Sequence, residues 1–587
     1  MVRKSIWLMA SCLMVLVLVL ASCGPAEEEE EEGTTVVGEV EEVEEKEEVV
    51  AEEEGPEMVR DSLGNLVEKP RYGGWLTIVT GESGCLDPII YQANDFTGRD
   101  LIFEGLCVAD WARGPFGTNE HAYSGFDDPE YFVGLIAESW EIPDLTTLIF
   151  NIRRGIHWNN RPPVNGRELV ADDVVYSLIE HNNSPLGAYP TPPCEVIARD
   201  KYTVVVNLDK PDPEAIWTLN NQYYISPPEI TDYSTYKNVI GTGPYILTDF
   251  VSGSSATLER NPDYWRYDPL HPENQLPYTD GMVQLCIQDA SVSLAALRTR
   301  KVDIRRGVQW QQVESLKATN PELQMVLAPP STSWCIFLRD DIAPYDNIKV
   351  RRALSMAIDR EAIKVGYWGG AAEIFDWPIM KSAKGSYTPL DEMPIDVQEN
   401  YSYNPEKAKQ LLSEAGAQNL KVKTIIQTGA SYQEVMSLVV EYWSQIGVET
   451  QLELHEPGPF WQLIRAGEYG TTLFGYGNTN PFSGAVRAYD PGLWLNFTHQ
   501  DDPYINERRI ELLTITDASM RNQVMREMAQ YEASQCWVVE LPGPCSYNYW
   551  QPWVHNYGGW DGCLLQAAET YPFIWIDQEL KKTYTGQ

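Results

Sequence analysis

The chain predicts an α/β fold, and three stretches carry that expectation. Between Gly134 and Leu178, the residues Leu148, Phe150 and Ile152 alternate with polar or smaller ones, the period-2 pattern of a strand with one face on a core. Arg153, Arg154 and Gly155 end that strand, Ile156 to Trp158 resumes an extended run, and Pro162, Pro163, Asn165 and Gly166 build a loop. Asp172 or Asp173 then accepts from the free amides of a helix whose Val174, Val175 and Leu178 share a face. In the second stretch Asn404 caps a helix, Pro405 takes its first position, Gly416 its left-handed stop, and Ala408, Leu411, Leu412 and Ala415 form the buried stripe. In the third, a helix ends at Ile446 and Gly447 and a strand follows from Val448 to Leu454, the rhythm of an α/β lobe.

At 587 residues the chain predicts two to four domains of about 150 residues each. Its N-terminus has Arg3 and Lys4 before an apolar run from Ile6 to Leu20, a basic start and a short core that predict a secretory signal over residues 1–22. The exit Leu20-Ala21-Ser22-Cys23-Gly24 resembles a bacterial lipobox, which implies cleavage before Cys23, acylation of that residue and a lipid anchor at a membrane surface. An uncleaved anchor helix is the alternative. Residues 23–69 hold no aromatic residue until Lys69, and seventeen Glu stand against Lys46 alone between Glu27 and Glu57. Such a segment buries too little apolar surface to fold alone and predicts an extended, disordered tether, although valines 36, 40 and 43 could mark an amphipathic or partner helix.

The formal net charge is -41, and the acidity outside the tether still argues against nucleic acid, whose phosphates need Lys and Arg. With 43% hydrophobic and 22% charged residues, large cores can be buried. Besides Cys12 and Cys23, the cysteines are Cys85, Cys107, Cys194, Cys286, Cys335, Cys536, Cys545 and Cys563, too scattered for a staple framework. Cys536 and Cys545 are the nearest plausible pair. There is no CxxC, so no metal or redox site is expected.

The segments Leu135-Ile136-Ala137-Glu138-Ser139-Trp140, Ile149 to Arg153 and Asp173-Val174-Val175-Tyr176-Ser177 together resemble family 5 of the extracellular solute-binding proteins, the oligopeptide and dipeptide receptors of ABC importers. Before them, a first strand at Tyr72 to Val79 leads to Leu86-Asp87-Pro88, Arg99-Asp100-Leu101 and Phe103-Glu104-Gly105-Leu106. After them come Gly241-Thr242-Gly243-Pro244-Tyr245 and Leu258-Glu259-Arg260-Asn261-Pro262-Asp263-Tyr264-Trp265. Asp289 to Ile304 is similar to the family's helix and strand there, with Arg300 and Lys301 where Gly and Glu are usual, and so is Val350 to Ile363, whose Val350, Leu354, Ala357 and Ile358 share a face of a helix capped by Asp346-Asn347. The resemblance covers Gly73 to about Tyr557.

It implies a periplasmic-binding-protein-like fold (type II, cluster C) of two large lobes, a hinge and a small inserted domain. On this chain the first lobe would hold 70–96, 194–330 and 541–587, the inserted domain 97–193, and the second lobe, called lobe III in the family, 331–540. The crossing would lie near Leu327 to Leu338, and the strand Trp537 to Pro542 would return to the first lobe. The implied function is capture of a small solute between the lobes and delivery to an ABC permease, by an exported monomer anchored by lipid to the outer face of the cytoplasmic membrane.

Carried over by position, the family's ligand-facing residues fall at Gln92, Asn94, Trp334, Trp461, Arg465, Tyr476 and Asn478. Each Trp could equally be a packing residue. The peptide receptors place an Asp in the loop beginning at Gly475-Tyr476, where it takes the ligand's amino terminus as a charge-assisted bond. Here the loop reads Gly475-Tyr476-Gly477-Asn478-Thr479-Asn480-Pro481, with no Asp. Peptide remains the expectation, and an oligosaccharide, held by stacking and neutral amides, is the alternative within the family. An enzyme is the alternative outside it, a secreted glycosidase using paired carboxylates such as Asp127-Asp128 or Asp501-Asp502. No HxxxH or GxSxG occurs, so no catalytic residue, cofactor or metal is expected.

Overall fold

The computed structural model describes residues 55–81, 84–90, 98–121, 129–184, 194–220, 223–330, 332–383, 385–429, 431–476, 481–559 and 570–586. The fold lies in the unit Glu57–Gln587. The expected signal, Cys23 and the tether as far as Glu54 lie outside the described residues. Among the described residues no helix is long and apolar enough to cross a membrane.

A seven-stranded sheet organises the first lobe, in the order Tyr245–Val251, Ser255–Arg260, Gly281–Cys286, Trp75–Thr80, Ile304–Val308, Ser546–Trp550, Gln324–Ala328. Its centre is parallel: Gly281–Cys286 and Ile304–Val308 both run with Trp75–Thr80. Leu76, Ile78, Leu258, Met282 and Ile304 are buried in one core on this sheet. A four-stranded antiparallel sheet, Ala137–Asp144, Thr147–Ile152, Thr203–Leu208, Cys194–Asp200, shares that core. The helix Ala171–Asn183 packs on it, with Asp173 accepting from the Val170 amide at 2.9 Å and from both terminal nitrogens of Arg167 at 2.8 and 2.6 Å.

The segments with the strongest family wording lock these layers together. Gly241 and Gly243 let the backbone pass against residues 101 and 102: a Cβ at Gly241 would lie 1.8 Å from the Ile102 carbonyl oxygen, and one at Gly243 2.6 Å from that of Leu101. Between them Thr242 donates to the carboxylate of Glu104 at 2.7 Å, which also accepts from Tyr264 at 2.9 Å and Trp265 at 3.3 Å. Glu104 is fully buried, and burial pushes its carboxyl up while those three donors pull it back. The motifs around Glu104, Thr242 and Tyr264 are thus one buried polar joint.

The second lobe holds a five-stranded sheet, Glu449–His455, Lys421–Gln427, Thr471–Tyr476, Ser333–Leu338, Val538–Leu541. Its core, with Ile336, Phe337, Ile426, Val439 and Leu473, shares no residue with the first. The helix over Pro405–Glu414 starts as the sequence predicts, Asn404 accepting from the Lys407 amide at 3.0 Å, and Asn347 likewise caps Ile348–Met356.

Three boundaries and one cysteine pairing differ from expectation. Residues 57–69 are not tether: Met58–Arg60 and Leu66–Glu68 pair as a hairpin, because Asp61 accepts from the amides of Leu63 and Asn65 and closes the turn. The expected inserted-domain boundary at 193 falls inside the four-stranded sheet, whose last two strands run to Leu208. Val538–Leu541 does not return to the first lobe but pairs with Ser333–Leu338, and Ser546–Trp550 makes the return. Cys536 and Cys545 are separate thiols. The first is buried at the end of its helix, and the second lies beyond the intervening strand.

Candidate ligand site between the lobes

Strand direction decides which edge of each sheet meets the other lobe. In the second lobe, Lys421–Gln427 runs parallel to both Glu449–His455 and Thr471–Tyr476, so Gln427, His455 and Tyr476 end at one edge. Ser333 lies opposite Tyr476 and Leu541 opposite Trp334, so the chain enters and leaves this lobe at that same edge. In the first lobe, Ala328 lies opposite Ser546 and Val308 opposite Tyr547, which puts both crossovers at the edge where Thr80, Cys286 and Val308 end. Carboxyl edges of parallel strands therefore bound the inter-lobe region from both sides, the usual place for a ligand in open α/β sheets. The two crossovers lie side by side, a Cβ on Gly543 falling 3.2 Å from the Thr332 carbonyl oxygen.

Of the residues expected to face a ligand, Trp334 and Tyr476 come together at this edge, Trp334 opposite Gly475 and Ser333 opposite Tyr476. The Tyr476 side chain, and Gln92, Asn94 and Asn478 entirely, lie outside the described residues. Trp334 is buried, its ring 4.5 Å from that of Tyr432 and 5.5 Å from that of Trp368. Trp461 sits elsewhere. Its ring packs 5.2 Å from Phe474, which lies opposite Cys335 and so on the other face of the sheet from Trp334. Arg465 is exposed near the end of the helix Pro457–Ala466, its guanidinium 5.1 Å from the Trp494 ring. The next residue but one, Gly467, is bound by Arg339 just past Leu338, at the sheet edge away from the crossovers. Arg465 is not brought to the inter-lobe edge.

Sequence reasoning missed Tyr367, Trp368, Tyr432 and Trp310. Tyr432 opens the helix Tyr432–Gln445, and its hydroxyl accepts from the Gly475 amide at 3.0 Å, pinning the start of the loop that follows. Gly475 has to be small: a Cβ there would meet the Thr332 hydroxyl at 2.8 Å and the Tyr432 hydroxyl at 3.0 Å. From the first lobe, Trp310 donates its indole N–H to the Tyr367 carbonyl at 2.8 Å and lies over Gly369, where a Cβ would come within 2.3 Å of the ring. The run Tyr367-Trp368-Gly369-Gly370, with two glycines behind two aromatics, was the available signal.

Three buried polar atoms in this region have no hydrogen-bond partner among the described residues: Trp368 Nε1, Gln427 Oε1 and His455 Nε2. Each costs about 1–3 kcal/mol while unpaired, so a polar guest or water that satisfies them is favoured. Elsewhere Glu68, His555 and Asp577 bring possible metal-ligand atoms within 4.8 Å of one another. Arg71, however, lies 3.2 Å from Glu68 and 3.1 Å from Asp577 and pairs with both carboxylates, occupying the place a cation would take.

Comparison with known proteins agrees with this architecture. The model of bacterial extracellular solute-binding proteins, family 5 (middle region), matches residues 132–489. Heme-binding protein A of Haemophilus influenzae is 26% identical over 382 residues, 59% of this chain and 66% of that protein. The dipeptide-binding protein of Escherichia coli is 26% identical over 383 residues, 59% of this chain and 67% of that one. Among solved structures, the periplasmic binding protein DppA from Helicobacter pylori in complex with the peptide STSA superposes with a TM-score of 0.70 at 19% identity, covering 86% of this chain and 99% of that one.

Proposed function

The chain belongs to the bacterial extracellular solute-binding proteins, family 5, and from that membership we propose that it captures an oligopeptide between its lobes and delivers it to an ABC permease. The observation that carries the reading is the meeting of two carboxyl sheet edges at paired crossovers, where Trp334, Trp368 and Tyr432 gather beside unpaired polar atoms. Two of the relatives supply the ligand class: one is a dipeptide-binding protein and another was solved with a peptide. Gln92, Asn94, Trp334, Tyr476 and Asn478 are the residues we assign to the ligand, with Trp461 backing the sheet. The protein acts without catalysis, as a lipid-anchored monomer held through Cys23 outside the cytoplasmic membrane, its acidic segment serving as the tether.

A second reading, an oligosaccharide, is favoured by the absence of Asp from Gly475 to Pro481 and by the aromatic wall. Thermal-shift and calorimetric titrations with di- to pentapeptides and with di- to tetrasaccharides separate the two. A rise in melting temperature with peptides alone supports the first reading, and a rise with sugars alone the second. Turnover of any sugar would overturn the non-catalytic assignment.

A further inference from the structure

An open cavity of about 360 Å³ lies in the first lobe, walled by Ser291, Leu294, Arg305, Val308, Gln309 and Gln312 among others. Its walls are the segments that leave the carboxyl ends of two strands: the helix Ala290–Arg298, which follows Gly281–Cys286, and the helix Trp310–Thr319, which follows Ile304–Val308. That places it at the inter-lobe edge, beside Trp310, whose indole reaches the Tyr367 carbonyl of the other lobe at 2.8 Å. Among the described residues that line the cavity, Arg305 alone is charged. Its Nε donates to the Ser293 hydroxyl at 3.0 Å, and Ser293, fully buried, donates in turn to the Ala290 carbonyl at 3.0 Å. Those bonds fix the guanidinium against the first turn of the helix, so less freedom is lost when it takes a guest. Asp289, which precedes that helix, is turned to it and accepts from the Val292 amide at 2.8 Å. The starts of both helices border the cavity and add partial positive charge of the same sign.

A planar guanidinium held at a cavity binds a carboxylate through two parallel N–H···O bonds, and a neutral amide or hydroxyl through weaker ones. In the other lobe, the loop from Gly475 to Pro481 has no Asp, so it offers no carboxylate to a guest's ammonium group. A net charge of -41 repels anions at long range, so an acidic solute is held only where a local cation opposes that field. We propose that Arg305 takes a carboxylate of the captured solute, from an acidic side chain or from the chain end, and so makes the site one for acidic guests. The proposal rests on the two-lobed binding reading.

The test is calorimetric titration of the full chain as wild type, R305Q and R305K, with circular dichroism and melting curves to establish folding. The solutes are Ala-Glu-Ala, Ala-Gln-Ala, C-terminally amidated Ala-Gln-Ala, digalacturonate and digalactose. Wild type is expected to bind a carboxylate solute on the order of tenfold tighter than its neutral counterpart. R305Q loses that preference and keeps the affinity for the neutral solute, and R305K, a charge without the fork, falls between. A preference for Ala-Glu-Ala over Ala-Gln-Ala assigns the side chain, and one for Ala-Gln-Ala over its amide assigns the chain end. Equal affinity of wild type for charged and neutral counterparts would overturn the assignment, as would a folded R305Q that keeps the preference, or no binding of any carboxylate solute. Should R305Q not fold, R305K decides, and a preference equal to that of wild type would sink the proposal. Peptides bound without regard to charge would keep the peptide reading and remove Arg305 from it. Digalacturonate bound over digalactose, with no peptide bound, would end the peptide reading and leave Arg305 its role.

Discussion

Single residues do two kinds of work here, and substitutions separate them. Gly241 is a packing requirement: Gly241→Ala forces a Cβ onto the Ile102 carbonyl and is expected to cost about 3 kcal/mol or more, seen as a lower denaturant midpoint at unchanged slope. Tyr432 holds the inter-lobe edge. Tyr432→Phe deletes the acceptor of the Gly475 amide and is expected to cost about 1 kcal/mol in stability while weakening ligand binding more than that. Equal losses in the two measurements would show the hydroxyl to be merely structural. Trp334 could be placed from its position in the chain because it sits on a strand beside a crossover. Arg465 could not, because a helix carries its last turn away from the edge its first turn touches, and an alignment of types does not report that direction. Tyr367 and Trp310 escaped notice because their bond joins segments 57 residues apart through a backbone carbonyl, which no side-chain pattern encodes.

Elements were legible where local chemistry determines them. Asn404 with Pro405 marks a helix start in any context, and the structure has it there. The strand Val538–Leu541 was recognisable as a strand, but its sheet was not, since membership depends on partners 200 residues away. That strand also carries a buried acid whose role the sequence hides. Glu540, fully buried, accepts from the Asp376 amide at 2.6 Å and from Tyr401 at 3.1 Å, and burial raises its carboxyl well above the usual range. Nearby, burial raises Glu532 to about 8 against a bond from Trp377, and Asp376 to about 6. A carboxyl held above its unfolded value binds its proton more tightly in the folded chain, so its contribution is complete below about pH 4.5 and is lost as pH rises towards 8. Glu532→Gln is expected to flatten the fall of melting temperature between pH 5 and pH 8 and to melt higher than wild type at pH 8. Parallel curves for the two proteins would show that Glu532 is ionised in the fold.

At the scale of the molecule, α/β lobes could be expected from the chain. What joins the lobes could not be. Asp212, Glu214, Arg487 and Arg521 are scattered over more than 300 positions and look like ordinary surface charges until their packing is known. Closure of two independently packed lobes couples ligand affinity to lobe contact, since a guest that binds only the closed form shifts the population towards it. The most direct test of this account is calorimetric titration of the purified protein with tri- to pentapeptides, repeated with Trp334→Ala. The account predicts a dissociation constant in the micromolar range, about -8 kcal/mol, for at least one peptide, and its loss in the variant. Heat of binding from sugars alone, or from no solute of either class, would contradict it.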